Sequence, residues 1–186
     1  MLFRSQTLEG RTVLPVVILD SLGRTYTLDA AEIPGGRGDG VPVSSLIELQ
    51  NGAKPVAMLT GQPEQHYLLS GSGGYGFITK LADMVGRVKA GKVVMTVDSG
   101  ETVLPPIAVY ASSLINPDCK IVLASSDHRL LAFSIGELKV MSKGRGLQLM
   151  SLTDGASLEH VLVTTSEEFI VETVGKRGAE IGRAHV

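Results

Sequence analysis

Short apolar runs of four or five residues, separated by turns rich in Gly, Ser and Asp, occupy most of this chain. Val16-Val17-Ile18-Leu19 is followed by Asp20-Ser21-Leu22-Gly23 and then by the alternating Arg24-Thr25-Tyr26-Thr27-Leu28. His66-Tyr67-Leu68-Leu69 leads through a Gly/Ser-rich turn to Phe77-Ile78-Thr79-Lys80-Leu81. Lys120-Ile121-Val122-Leu123 leads through Ser125-Ser126-Asp127-His128 to Leu130-Leu131-Ala132-Phe133. Runs of this length on either side of such turns predict β-hairpins. No helical period is sustained, and Leu81 to Val88 has room for one helical turn or a loop.

A second regularity runs through the first. Gly38, Gly91 and Gly144 are evenly spaced, within Gly36-Arg37-Gly38-Asp39-Gly40, Lys89-Ala90-Gly91-Lys92 and Ser142-Lys143-Gly144-Arg145-Gly146. Each unit then closes on a further turn, Asn51-Gly52, Ser99-Gly100 or Asp154-Gly155. A period of about 50 residues is the mark of propeller or solenoid arrays. The expectation is an all-β array of about three complete units, with a partial fourth from His160-Val161-Leu162-Val163 through Phe169-Ile170-Val171. One array then accounts for the 186 residues, because a single unit is too small to bury its own core.

Composition narrows the chemistry. With 44% hydrophobic residues and no Trp, the core must come from Val, Ile, Leu and Ala. The lone Cys119 excludes a disulfide framework or a multi-cysteine zinc site, and fits a reducing cytoplasm. The four histidines are scattered and no acidic pair recurs, so neither a metal site nor acid–base catalysis is expected. Apolar runs such as Val13 to Leu19 fall far short of the ~20 residues that span a bilayer, so no membrane role is expected. Gly71-Ser72-Gly73-Gly74-Tyr75-Gly76 satisfies a phosphate-cradling pattern, but a strand follows it where that function needs a helix; it reads as a hairpin loop. Ser126-Asp127-His128 are too close in sequence to form a hydrolytic relay and read as a turn.

The repeated glycine signature is the candidate site. Its glycines (Gly38, Gly40, Gly91, Gly144, Gly146) suit tight turns and close backbone approach. Cations accompany them in every unit: Arg37; then Arg87, Lys89 and Lys92; then Lys139, Lys143 and Arg145. A structural turn needs no cations. Aligned on one edge, they would track a phosphate backbone despite a net charge of −2.

These motifs carry a resemblance. Val16-Val17-Ile18-Leu19-Asp20-Ser21-Leu22-Gly23-Arg24-Thr25-Tyr26, Gly74-Tyr75-Gly76-Phe77 leading to Arg87-Val88-Lys89-Ala90-Gly91-Lys92, and Leu138 to Gly146 resemble the C-terminal domain of the A subunit of bacterial DNA topoisomerase IV, kin to that of gyrase. The resemblance implies a β-pinwheel over residues 13–179, after a leader or edge segment 1–12. Residues 180–186 look like the translation of a sequencing adapter and are set apart as a tail. It further implies a non-catalytic domain that binds and bends duplex DNA through Arg37, Arg87, Lys89, Lys92, Lys143 and Arg145. Its expected partners are double-stranded DNA, the remainder of the A subunit and the B subunit, in the bacterial cytoplasm at the nucleoid. ATP and Mg²⁺ would belong to other domains, and no cofactor to this one. The gyrase box, close to Gln-Arg-Arg-Gly-Gly-Lys-Gly, has no match here, which favours topoisomerase IV over gyrase and bending over wrapping. The rival readings are a gyrase wrapping domain and a protein-interaction propeller.

Overall fold

The computed structural model describes residues 10–36, 39–166, 168–175 and 178–185. Arg37 and Gly38 of the signature lie outside them. The first hairpin joins β1 (Val16–Asp20) to β2 (Arg24–Leu28), and β3 (Pro55–Leu59) pairs with the other side of β1. Its turn is closed from within by buried Asp20, whose Oδ1 accepts from the backbone N–H of Leu22 and Arg24 and whose Oδ2 accepts from the Tyr26 hydroxyl. The second hairpin is β4 (His66–Ser70) and β5 (Tyr75–Lys80), followed by the single turn α1 (Leu81–Met84). Residues 71–74 of the glycine pattern form this hairpin's connection, as expected, and Tyr75 and Gly76 begin β5.

The next strand does not stay with its own hairpin. β6 (Lys92–Val93) crosses back to pair with β2, and only then does β7 (Ile107–Val109) join the second sheet beside β4. After the turn α2 (Ala111–Leu114) the plan repeats. The third hairpin is β8 (Lys120–Ser125) and β9 (Leu130–Ser134); β10 (Leu147–Gln148) crosses back to β5, and β11 (Leu158–Thr164) pairs with β8. A last hairpin, β12 (Glu168–Gly175) with β13 (Gly178–His185), makes a sheet of its own. The strand orders are thus β3-β1-β2-β6, β10-β5-β4-β7, β11-β8-β9 and β12-β13. Residues 180–185, set apart above as a tail, lie in β13.

One expectation is corrected. His160 to Val163 does not begin the fourth unit: it lies within β11, the outer strand of the third sheet. The apolar run is real, but each unit holds an outer strand besides its hairpin, and the two look alike in sequence.

The second sheet is the middle layer. Alternation along β4 sends Tyr67 and Leu69 toward Val17, Leu19, Phe77, Met84 and Met95, while Leu68 on the opposite face joins Ile78, Ile121, Leu123, Ile135 and Leu149. A smaller cluster, Ile18, Tyr26, Leu28 and Ile47, covers the far face of the first sheet. Among the described residues no helix is long and apolar enough to cross a membrane.

Candidate nucleic-acid interface

The two crossing segments carry the signature, and β2 stitches the first of them down. The Thr25 hydroxyl donates to Met84 O (2.7 Å), Gly86 N–H donates to Thr27 Oγ1 (2.9 Å), and the chain then turns through Gly91 N–H to Val88 O (2.9 Å). Gly91 has φ +68°, and a Cβ there would stand 2.6 Å from Thr25 O and 2.8 Å from the Tyr26 ring. Gly146 meets the second sheet in the same way: φ is +89°, and a Cβ would stand 2.2 Å from Gly76 O. Only glycine fits such an approach at positive φ.

The pairing revises the repeat. Lys92 lies opposite Thr25 and Leu147 opposite Gly76, so Gly91 corresponds to Gly146 and not to Gly144. The N–H groups of Val94 and Met95 reach Gly23 O, as those of Leu149 and Met150 reach Gly74 O. Gly144 serves elsewhere, donating to Val94 O and accepting from Thr96 N–H, both at 2.9 Å. In the first unit Glu48 N–H donates to Lys89 O in the way that Thr96 donates to Gly144 O. The even spacing of Gly38, Gly91 and Gly144 is therefore not the structural period, because loop lengths differ between units. Gly40 is exposed and contacts nothing within 4 Å of a built Cβ. The closing turns do match: Gly52, Gly100 and Gly155 share φ of 80°, 87° and 79°.

The Gly144 bonds lay the second basic segment against the first. Lys143 adjoins a glycine hydrogen-bonded to the strand that continues from Lys92. Within this belt the cations divide. Arg145 is tied down by Asp98 (2.8 Å) and Glu101 (3.3 Å), with its guanidinium 3.9 Å from the Tyr75 ring centroid. The Lys92 Nζ donates to Val85 O at 3.3 Å. Arg87, Lys89, Lys139 and Lys143 are exposed and have no side-chain partner among the described residues. Arg24, absent from the sequence candidates, donates from Nη1 to Ala90 O (3.0 Å) and Gly91 O (2.8 Å). No local signal marks it, since its partners lie in another unit.

The adjoining cleft, about 510 Å³, is lined by Asp29 and Glu32 as well as Arg87 and Lys89. Ser126, Asp127 and His128 form a turn, in which the Asp127 carboxylate accepts from the Ser125 hydroxyl, Thr153 Oγ1 and Arg129 Nε. Those bonds, Ser125 foremost, hold its pKa below the usual carboxylate value. Among the described residues no group of three or more His, Cys, Asp or Glu could hold a metal ion.

Successive sheets joined by a strand that crosses back, β6 to the first and β10 to the second, with glycine-hinged basic segments at the crossings, define a β-pinwheel. The solved C-terminal domain of Escherichia coli ParC superposes with a TM-score of 0.85 at 27% identity, over 96% of this chain and 71% of that one. Another topoisomerase IV C-terminal domain superposes with a TM-score of 0.76 at 12% identity, over 94% of this chain and 54% of that one; it supports the fold alone. The DNA topoisomerase 4 A subunit of Neisseria gonorrhoeae is 75% identical over 157 residues, 84% of this chain and 20% of that protein. Its Escherichia coli K12 counterpart is 30% identical over 175 residues, 91% of this chain and 23% of that protein. The chain matches no protein-family model. It belongs to the C-terminal domain family of the topoisomerase IV A subunit and spans about a fifth of the length of the proteins it matches.

Proposed function

We propose that this chain is the DNA-binding and DNA-bending part of the A subunit of topoisomerase IV. It performs no chemistry itself and presents duplex DNA to the cleavage core of an ATP-dependent type II topoisomerase, which relaxes supercoils and separates linked chromosomes. The cleavage core and the B subunit are its protein partners, ATP and Mg²⁺ act in other domains, and the nucleoid is its place of work. One observation carries the reading: Arg87 and Lys89 on one crossing segment and Lys139 and Lys143 on the next stand exposed, without side-chain partners among the described residues, on segments joined through Gly144. Cations held on hydrogen-bonded turn segments, their side chains without partners among the described residues, are suited to phosphates, and they read no bases. Arg37 is retained as a contact by the sequence pattern alone. Lys92 and Arg145 are committed to the fold and contribute less.

The test is duplex affinity of the chain by fluorescence anisotropy across a salt series. Binding at micromolar concentration or tighter, falling steeply as salt rises, is expected. A folded sample that ignores duplex DNA, or binds it without salt dependence, overturns the reading in favour of a protein-binding rim.

A further inference from the structure

Arg24 begins β2 with its backbone fixed, because its N–H donates at 2.9 Å to Asp20 Oδ1 and Asp20 is wholly buried. From that base the guanidinium reaches the basic segment and satisfies two successive carbonyls, Ala90 O and Gly91 O. β6, which follows, is only two residues long and can do little to hold that segment by itself. The second sheet holds its basic segment by the reverse arrangement. Tyr75 follows Gly74 as Arg24 follows Gly23, and there the arginine comes from the segment: Arg145 reaches back over the Tyr75 ring. In both sheets an arginine spans hairpin and crossing segment at the same register, beside the glycine that makes the close approach.

We propose that Arg24 is a positioning residue for DNA binding: it pins the segment at Ala90 and Gly91 so that Arg87 and Lys89 are presented to the duplex in one fixed arrangement. The functional consequence rests on the DNA-binding reading above; the pinning does not. A planar guanidinium aims its N–H groups at adjacent carbonyls with little loss of freedom, whereas an ammonium on a flexible stem does so poorly, so lysine is a poor replacement.

The experiment compares the full chain with Arg24→Lys and Arg24→Ala, by duplex anisotropy over a salt series and by amide hydrogen exchange. Both variants are expected to lose roughly 3- to 10-fold in affinity at fixed salt with the salt slope unchanged, since no phosphate contact is removed. The Gly91 and Val94 amides should exchange about tenfold faster or more, while amides of β4 and β5 keep their wild-type rates and report an intact fold. The proposal is overturned if Arg24→Lys binds like wild type, if the slope falls by about one as for a direct phosphate contact, or if exchange at Gly91 and Val94 is unchanged. If the wild-type chain itself ignores duplex DNA, the functional reading fails, and the exchange rates alone decide whether Arg24 pins the segment.

Discussion

Lys89 and Arg145 carry the same charge into different work. The Lys89 side chain is exposed with no partner among the described residues, whereas Arg145 sits between two carboxylates and over an aromatic ring. Lys89→Ala and Lys143→Ala should each lower the slope of log affinity against log salt by about one, on all duplex sequences alike. Arg145→Ala should leave the slope unchanged and instead lower stability by about 1 kcal/mol, the scale of a part-exposed ion pair with a ring contact. A slope change for Arg145→Ala equal to that for Lys89→Ala would return Arg145 to the contact set. Two tyrosines add an alkaline dependence to stability. Burial first, and then the bond to Asp20, push the Tyr26 hydroxyl above 10.0; burial does the same to Tyr67. A raised folded pKa stabilises fully below the unfolded value and is lost as pH climbs through the folded one. Urea midpoints should therefore fall as pH climbs above about 10, the ordinary tyrosine value, and by less in Tyr26→Phe than in wild type. An equal fall in both would remove Tyr26 from the account.

At the scale of the element, the first three hairpins were legible, and the last hairpin and the crossings were not. Val16–Leu19 with Arg24–Leu28 and Lys120–Leu123 with Leu130–Phe133 read correctly because alternation and turn chemistry act between near neighbours. β6 and β10 are two residues each, too short to print a period, and their partners lie in the preceding unit. The even glycine spacing therefore led to Gly144, where the register selects Gly146. Two glycines of similar φ separate close approach from backbone conformation. Gly100→Ala, with open space around it, should cost about 1 kcal/mol, the penalty of positive φ alone. Gly91→Ala adds a collision with Thr25 O and the Tyr26 ring and should cost clearly more, on the order of 3 kcal/mol. Thermal melts of the two variants compare them directly, and equal losses would mean that the approach at Gly91 is not tight.

Over the whole molecule, the second sheet is where cohesion concentrates. Leu68 and Leu69 are neighbours in sequence, both essentially buried, and they belong to different cores. Truncating either to Ala should cost about 2–5 kcal/mol. Because β6 and β10 cross back to the preceding sheets, damage to one core should be felt by both. A single urea transition that shifts in both variants is expected; a biphasic curve in which each variant moves a different phase would show independent units.

What the amino-acid sequence determined by itself is the all-β class, the positions of the first three hairpins and their turns, and the pairing of glycine with cations. All of these depend on residues within a few positions of one another. What only the tertiary structure decided is which sheet each crossing strand joins, that Gly91 matches Gly146, and which of the described cations are free. Arg145 meets Glu101 across 44 residues and Arg24 meets Gly91 across 67. A charge is engaged or left free according to what the fold brings beside it, and that neighbour is set by the packing of whole sheets.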